Sequence, residues 1–482
     1  MKILVISSEV APFAKTGGLA DVAGALPKAL RAIGHDVRVV LPAYRTIEDK
    51  VAAGATDIGV SPLTLQVPVG RSLQQAGVFE AVLPDTDVPV SFIAERTMFG
   101  RPSFYGYDDD AFRFAFFSRA ALDLEIAARG WRPDVVHAHD WHASGAIAWL
   151  ATAGQGDARY AAMPTLLTIH NLMHQGRAPG LLLDYLGIAD DGRLEEEGRG
   201  INTLARGIYH ATMINTVSPT YAREIMTPEG GCGLDGLLRR RSYDVHGVLN
   251  GIDTDLWNPQ NDRNLAARFS ADTIELRAKN KKALQHKLGL PERADVPLLA
   301  MITRLDAQKG LDLAAPVLHH LLGRHGGDAQ FVVIGTGAEP YERMFREMAE
   351  HHRDRMRAVL AYAAELAPLV YGGSDMFLMP SRFEPCGLGQ MIAMRYGSLP
   401  IVRATGGLAD TVDDWTTGFT FDAFDAGAFW QAVTRALDRY HQDPSGWKGM
   451  QQTAMRRDLS WDASAHRYAE LYAWAQARVR GW

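Results

Sequence analysis

The 482-residue chain has an ordinary globular composition, with 47% hydrophobic and 22% charged residues and a formal net charge of −6. This length exceeds one typical core, so we expect two or three domains. No long basic run and no apolar stretch long enough to cross a bilayer occurs, which argues against nucleic-acid and membrane partners. The two cysteines are too few for a disulfide framework and indicate a cytoplasmic protein.

Short apolar runs alternate with longer amphipathic segments, a pattern that predicts α/β domains with parallel sheets. A polar stretch at about 255–295 separates two series of predicted strands. The predicted strands are 3–7, 37–41, 134–138, 165–169, 212–217 and 246–249, then 297–303, 330–334, 357–361, 376–379 and 399–403. The predicted helices include Leu19–Ile33, 141–152, 219–226, 310–323 and 386–397.

We place an N-terminal domain at 1–250 and a C-terminal domain at 251–460. The tail from about 424 onward is predicted to be helical, and its last part, 461–482, is expected to pack back on the first domain. Doubly wound domains present the carboxyl ends of their strands at a cleft, where open α/β sheets bind ligands. The tryptophans expected to anchor the tail are Trp430, Trp447, Trp461 and Trp474.

The first predicted strand leads into Lys15-Thr16-Gly17-Gly18, at a turn before a helix. Glycine lets a ligand approach the backbone, the helix N-terminus offers N–H groups, and lysine adds a positive charge. This combination suits a phosphate or a sugar hydroxyl, and the alternative is a tight turn without a ligand. A similar element, Thr405-Gly406-Gly407-Leu408-Ala409-Asp410-Thr411-Val412, follows the strand at 399–403 and supports two similarly built halves.

Polar residues also follow the strands at 134–138 and 165–169. The first leads into His137-Ala138-His139-Asp140-Trp141-His142, whose spacing matches no standard zinc pattern. Asp140 is interpreted either as a helix N-cap or as a hydrogen-bond partner of a substrate. The second leads into His170-Asn171, which offers donors and acceptors for hydroxyl groups. His170 is either a site residue or a histidine satisfied within its loop.

The second series of strands carries a basic pair and a carboxylate. Arg304 and Lys309 follow the strand at 297–303 and form either a diphosphate clamp or two solvated surface cations. Glu384 follows the strand at 376–379, and Pro385 is expected to mark a helix entry. Gly387 and Leu388 would then present first-turn N–H groups to an anion. Between them, Cys386 is interpreted as a small buried residue and not a nucleophile.

These motifs, in order over essentially the whole chain, resemble those of bacterial glycogen synthases and the related plant starch synthases. The resemblance implies the GT-B fold, two doubly wound Rossmann-like domains facing a central cleft, with C-terminal helices crossing back to the first domain. It also implies a retaining enzyme, without metal or other cofactor, that moves glucose from ADP-glucose to the non-reducing end of an α-1,4-glucan. The motifs are Lys15–Val22, His137–His142, His170–Gly176, Asn250–Asp253, Arg304–Gly310, Glu384–Gln390 and Thr405–Val412.

The resemblance also implies roles for individual residues. The diphosphate is assigned to Lys15, Arg304 and Lys309, with the amides of Gly18, Gly387 and Leu388. The transferred glucose is assigned to His170, Asn250 and Glu384, and Asp140 is expected near the glucose or the acceptor. Further substrate contacts are Asn171, Cys386 and Thr405. The predicted catalytic residues are Glu384, His170, Asp140, Lys309 and Arg304.

The chain departs from the family pattern at three places. Gly389 stands where the family usually has Thr, and Ile392 stands where related retaining transferases have a ribose-binding Glu. The segment Phe99–Gly106 matches the family's Tyr-rich loop only loosely. The alternatives are a transferase that uses UDP-glucose or another acceptor, a non-catalytic glucan-binding protein, and a PLP-dependent phosphorylase. The diphosphate clamp beside Glu384 argues against glucan binding alone, and no Schiff-base lysine pocket is evident.

Overall fold

The computed structural model describes residues 1–54, 57–189, 194, 200–323 and 328–481. It divides the chain into two compact units. The first unit comprises Met1–Asn250 and Trp461–Trp482, and the second comprises Gly251–Ser460.

The first unit carries eleven strands among its described residues. They are β1 (Lys2–Ile6), β2 (Asp36–Pro42), β3 (Gly59–Val69), β4 (Ser72–Val82), β5 (Pro89–Ala94), β6 (Val135–His139), β7 (Thr165–Ile169), β8 (Arg177–Ala178), β9 (Ile201–Asn202), β10 (Met213–Thr216) and β11 (Val245–Gly247). Its helices are α1 (Gly18–Ala32), α2 (Arg45–Ala52), α3 (Arg96–Phe99), α4 (Asp110–Leu122), α5 (Asp140–Ala151), α6 (Leu181–Leu186), α7 (Thr203–His210), α8 (Pro219–Glu224) and α9 (Asp235–Arg240), with the C-terminal helix given below.

Nine of these strands form one sheet in the order β11-β10-β7-β6-β1-β2-β5-β4-β3. The strands from β11 to β5 run parallel, as predicted, whereas β4 pairs antiparallel with both β5 and β3. Strands β3, β4 and β5 were not predicted from the sequence, and the expectation of parallel strands alone is wrong for this sheet. Pro62 and Pro68 lie within β3, and proline within an apolar run argues against a central strand. Here β3 is an edge strand, where proline is tolerated.

The second unit contains a six-stranded parallel sheet in the order β14-β13-β12-β15-β16-β17 among its described residues. Its strands are β12 (Leu298–Ile302), β13 (Gln330–Ile334), β14 (Met356–Val359), β15 (Met376–Met379), β16 (Leu399–Arg403) and β17 (Phe419–Phe421). Its helices are α10 (Arg277–Leu288), α11 (Leu311–Leu322), α12 (Glu339–His351), α13 (Ala367–Gly373), α14 (Gly389–Arg395), α15 (Gly406–Thr411), α16 (Ala426–Gln442) and α17 (Pro444–Arg456).

The last helix, α18 (Asp462–Arg480), packs in the first unit. Its Tyr468 hydroxyl accepts a hydrogen bond from Asn215 at 2.9 Å, and its Tyr472 hydroxyl lies 2.9 Å from His137 Nδ1. Of the four tail tryptophans predicted as anchors, Trp447 and Trp461 are buried, whereas Trp474 is 41% exposed and its ring centroid lies 5.2 Å from that of His246 in β11.

In each of the two larger sheets the strand order reverses beside the first strand of that unit. In the first unit, β1 lies between β2 and β6, and in the second unit β12 lies between β13 and β15. Open α/β sheets bind ligands outside the carboxyl ends of the strands at such switch points. The loops after β1, β6, β12 and β15 are therefore the places where topology favours a site.

Candidate functional site

The loop after β1 is held by a buried carboxylate that the sequence analysis did not single out. Glu9 accepts hydrogen bonds from the Thr16 hydroxyl at 2.6 Å, from the Gly17 N–H at 3.3 Å, and from the Thr16 N–H. The Tyr105 hydroxyl donates to the same carboxylate at 2.7 Å. Glu9 thus connects the Lys15–Gly18 turn to the loop before α4. The sequence signal that could have identified Glu9 is an acidic residue shortly after a predicted strand.

Lys15 and Gly18 are both accessible at this turn. The Lys15 ammonium donates to Asp21 at 2.6 Å, and the lysine side chain stays largely exposed. A Cβ placed on Gly17 or Gly18 would meet no atom within 4 Å, and Gly17 is in an extended conformation that any residue adopts. Packing therefore does not require these two glycines, which favours the interpretation that a ligand approaches the backbone here.

The loop after β6 places Asp140 inside the first unit, and the interpretation of Asp140 as an N-cap is wrong. Asp140 is the first residue of α5, with φ of +55°, and its carboxylate accepts the His170 N–H at 2.7 Å. It therefore joins the loops after β6 and β7 instead of capping its own helix. Burial raises the pKa of Asp140 to about 7, against the lowering effect of the backbone N–H groups of His170 and Asn171.

This shift predicts a pH dependence of stability. Between the ordinary aspartate pKa of 3.8 and about 7, the unfolded chain has lost a proton from Asp140 that the folded chain keeps. Rising pH therefore favours unfolding, by up to about 1.4 kcal/mol per pH unit. Asp140→Asn removes the titration and keeps an oxygen for the His170 N–H. We expect the variant to gain stability relative to the parent from pH 4 to 7, measured by denaturant unfolding. If the free energies of unfolding of the variant and the parent changed in parallel with pH, the raised pKa of Asp140 would be contradicted.

His170 follows β7 and is buried, with its Nε2 2.8 Å from His139 Nδ1. Burial lowers the pKa of His170 to about 3, so the ring is neutral. Its neighbour Asn171 is half-buried and accepts the Met173 N–H at 3.1 Å. Asn250, the last residue of the first unit before the chain leaves it, is buried, and its Oδ1 has no partner among the described residues. The structure thus shows three candidate ligands for hydroxyl groups in this unit.

In the second unit the loops after β12 and β15 meet through an ion pair. The Lys309 ammonium donates to Glu384 Oε2 at 2.6 Å, and the Ser381 hydroxyl donates to the same oxygen at 3.0 Å. Both charged side chains are mostly buried. The geometry brings together two residues that the sequence predicted only as members of separate motifs, at the switch point of this sheet.

Arg304 lies in the same loop as Lys309 but is mainly exposed. Its side chain is 57% exposed, with one nitrogen 3.4 Å from Asp306 and another donating to Gln308 Oε1 at 3.2 Å. Gln308 in turn donates to the Phe383 carbonyl at 3.3 Å, next to Glu384. The guanidinium therefore lies at the rim of the loop pair, with its charge in solvent.

The expected helix entry at Pro385 is wrong. Helix α14 begins at Gly389, Leu388 is its N-cap, and Gly387 lies outside the helix with φ of +75°. The Gln390 side chain shapes this turn by donating to the carbonyls of Cys386 and Gly387, each at 3.0 Å. The Gly387 and Leu388 amides are thus loop groups and not first-turn groups. Cys386 itself is buried.

Gly389 starts α14 close to β15. A Cβ there would lie 3.1 Å from the Phe377 ring and 3.4 Å from Met379 Sδ. The side chains of Phe377 and Met379 on β15 therefore leave little space for a larger residue at position 389. Ile392 in α14 is a buried apolar residue, so α14 has no carboxylate at this position that could bind a ribose.

The turn Thr405-Gly406-Gly407 packs directly on the Glu384 loop. Gly406 has φ of +47°, and a Cβ there would collide with the Glu384 carbonyl. The Gly407 N–H donates to that carbonyl at 3.1 Å. Thr405 is buried at the N-cap of α15. These glycines therefore position the Glu384 loop through close backbone contact.

The two Thr-Gly-Gly-Leu-Ala-Asp motifs occupy different positions in the sheets of their two units. The first motif follows the first strand of its unit, whereas the second follows β16, a later strand beside the edge strand β17. Leu408 and Val412 form a core cluster with Val402 of β16.

Two further features are absent from the described residues. No group of three or more His, Cys, Asp or Glu side chains in the described part of the chain is arranged to hold a metal ion. Within the same residues, every helix is too short or too polar to cross a membrane.

Comparison with known proteins agrees with this geometry. A family model for the starch synthase catalytic domain matches residues 2–240, and one for glycosyl transferases group 1 matches residues 283–445. A glycogen synthase of Moorella thermoacetica is 43% identical over 492 residues, covering 100% of this chain and 98% of the relative. A glycogen synthase of an Anaeromyxobacter species is 46% identical over 491 residues, covering 98% and 99%.

A solved structure also resembles this chain along its length. The catalytic domain of starch synthase IV from Arabidopsis thaliana, bound to ADP and acarbose, has a TM-score of 0.89 and 35% identity. The match covers 98% of this chain and 99% of that chain. With two Rossmann-like units, the chain is a glycosyltransferase of the GT-B class, as predicted. It belongs to the glycogen synthase family, which confirms the predicted family and enzyme class. Its activity is glucosyl transfer in glycogen synthesis.

Proposed function

We propose that the chain transfers glucose from ADP-glucose to the non-reducing end of an α-1,4-glucan, with retention of configuration. The observation that carries this proposal is the Lys309–Glu384 pair at the switch point of the second unit, with Arg304 at its rim. A cation pair beside a carboxylate suits a sugar diphosphate, because one end carries negative charge and the other carries hydroxyl groups. The related starch synthase structure is bound to ADP and acarbose, which supports an adenine nucleotide and a glucan-like ligand.

In this proposal Arg304 and Lys309 neutralise the diphosphate. Cleavage of the glycosyl–phosphate bond leaves negative charge on ADP, and fixed cations stabilise the charge as it develops. Glu384 accepts hydrogen bonds from the transferred glucose, and the amides of Gly387 and Leu388 donate to phosphate oxygens. Cys386 and Thr405 support the same loop from within, next to Gly406 and Gly407.

The first unit supplies further ligands in the proposal. Lys15 adds a cation and Gly18 an open backbone to the diphosphate, while His170 and Asn250 bind the transferred glucose. Asp140 and Asn171 lie in the adjoining loops, where we propose contacts with the glucose or the acceptor.

Retention is proposed to proceed by front-face attack. The acceptor hydroxyl attacks the anomeric carbon on the face from which ADP leaves, and its proton passes to the departing phosphate oxygen. Because the acceptor attacks directly in this scheme, Glu384 is not required as a covalent nucleophile, and its Oε2 accepts hydrogen bonds from Lys309 and Ser381. A double displacement would need a carboxylate in line with the anomeric carbon.

We further propose that Tyr362 stacks on the nucleotide base. It lies just beyond the carboxyl end of β14, at the edge of the sheet where ligands bind, and it is 84% exposed, so its ring is accessible to a base. A stacked base is worth about 1–3 kcal/mol. We expect Tyr362→Ala to raise the KM for ADP-glucose roughly tenfold with kcat nearly unchanged, and Tyr362→Phe to keep the parental KM.

Tyr243→Ala is the matched control, because Tyr243 is also strongly exposed but lies between α9 and β11 in the first unit, at the amino end of β11. Steady-state kinetics with varied ADP-glucose measure all three variants. An unchanged KM in Tyr362→Ala would contradict the stacking assignment.

The experiment that tests the proposed function is incubation with glycogen and either ADP-glucose or UDP-glucose, followed by nucleotide release and glucan chain length. We expect ADP release with elongation and a much lower rate with UDP-glucose. Faster turnover of UDP-glucose would select the alternative donor. Glycogen binding without nucleotide release from either donor would select a non-catalytic glucan-binding protein.

A further inference from the structure

Two buried histidines share one hydrogen bond in the first unit, and only one of them belongs to the proposed site. His139 is the last residue of β6, and it lies in register with Thr168 of β7, two residues before His170. The two rings meet edge to edge, with their planes 29° apart and their centroids 5.1 Å apart, and His139 Nδ1 lies 2.8 Å from His170 Nε2. Such a bond contains one proton, so one ring donates and the other accepts.

The surroundings of His139 decide which ring donates. Its Nε2 is buried and has no partner among the described residues. Burial lowers the pKa of both rings, so each neutral ring carries one N–H. If His139 carried its proton on Nε2, a buried N–H would lack an acceptor, which is rarer in proteins than an unpaired acceptor. The lower-energy arrangement has the proton on His139 Nδ1, donated to His170 Nε2.

We propose that His139 is a positioning residue that fixes His170 as the tautomer protonated on Nδ1, so that His170 acts as a hydrogen-bond donor to its ligand. This inference rests on the proposed role of His170 in glucosyl transfer. The chemistry of the ligand group follows from the tautomer: a neutral Nδ1–H seeks an acceptor oxygen, such as a sugar hydroxyl oxygen. With the opposite tautomer, His170 could only accept at Nδ1.

A neighbouring histidine provides a matched comparison. His137 is two residues earlier on β6, on the same face, and its ring centroid lies 4.1 Å from that of His139. Its Nδ1 lies 2.9 Å from the Tyr472 hydroxyl, and its Nε2 lies 2.7 Å from the Thr168 hydroxyl, so both ring nitrogens of His137 have their own partners. It is equally buried but has no hydrogen bond to His170 among the described contacts.

The first test reads the tautomer directly and needs no activity. Protein labelled with 15N-histidine gives separate nitrogen shifts for protonated and unprotonated ring nitrogens, and a His170→Ala sample assigns the His170 signals. We expect His170 to be protonated on Nδ1 in the unliganded chain. Protonation of His170 on Nε2 would overturn the inference, whichever substrate the enzyme uses.

The second test is a double-mutant cycle in the elongation assay with ADP-glucose and glycogen. His139→Leu removes the donor and fills the space, and we expect it to lower kcat roughly tenfold with little change in KM. His139→Asn keeps a donor near Nδ1 and is expected to restore most of the loss. In the His170→Ala background, His139→Leu should cause no further loss of kcat. His137→Leu should instead lower kcat by the same factor in the parent and in the His170→Ala background.

Two outcomes of the cycle would overturn the inference. One is that the losses from His139→Leu and His170→Ala multiply, which is the behaviour of a residue that only supports the fold. The other is that His139→Asn turns over no faster than His139→Leu. Failure of the proposed function is recognised separately, because the parent chain would then not elongate glycogen while the nitrogen shifts still report the tautomer.

Discussion

Replacement of Glu384 by Ala is expected to lower kcat for glycogen elongation roughly a thousandfold while the chain stays folded. The carboxylate lies at the carboxyl end of β15, where it accepts hydrogen bonds from Lys309 at 2.6 Å and Ser381 at 3.0 Å. Its loss removes the proposed acceptor for the glucose hydroxyls. It also leaves the Lys309 ammonium without its partner, so the diphosphate clamp loses its orientation.

The same strand provides a control at its opposite end. Asp375 directly precedes β15 and pairs with Lys281 at 2.7 Å, and both side chains are about as buried as the Glu384 pair. Removal of one partner of a buried pair typically costs about 3–5 kcal/mol. Asp375→Ala is therefore expected to lower the free energy of unfolding at least as much as Glu384→Ala but to keep turnover in the folded fraction. Near-normal elongation by folded Glu384→Ala would show that the site is assigned wrongly.

The parts of the site that the sequence predicted are those that depend on strand order. The parallel strands that end at Asp140, His170, Arg304 and Glu384 are short, nearly continuous apolar runs, because both faces of such a sheet are covered. Once these runs are located, the polar residues that follow them are expected at the same edge of a sheet. The observed strands confirm the predicted positions within one or two residues.

The parts that the sequence did not predict depend on contacts between distant residues or on local backbone shape. Glu9 and Tyr105 meet across 96 positions, and His139 and His170 meet across 31. Hydrophobic periodicity reports which residues face a core, not which polar atoms meet. Because Gly387 has a positive φ, α14 begins at Gly389, after this residue. The position of Pro385 alone therefore did not predict where the helix begins.

Replacement of Arg304 by Ala is expected to reduce kcat/KM for ADP-glucose by about a hundred- to a thousandfold, and replacement of Lys309 by Ala is expected to do the same. The leaving ADP gains negative charge in the transition state, and each cation is proposed to stabilise that charge, at about 3–4 kcal/mol for one lost donor. The two variants should differ in stability. Lys309 is mostly buried against Glu384, whereas Arg304 is 57% exposed and its contact with Asp306 is 3.4 Å.

Arg304→Ala is therefore the cleaner test, because a pair this exposed contributes little to folding. Its matched control is Arg293→Ala, since Arg293 also forms exposed ion pairs, with Asp295 and Asp328, but lies before the amino end of β12. We expect both arginine variants to keep the parental thermal midpoint and only Arg304→Ala to lose turnover. Steady-state kinetics measure the rates, and added ADP as a competitive inhibitor reports affinity for the diphosphate. If Arg304→Ala and Lys309→Ala each lose less than a few-fold in kcat/KM, these two residues do not form the diphosphate clamp.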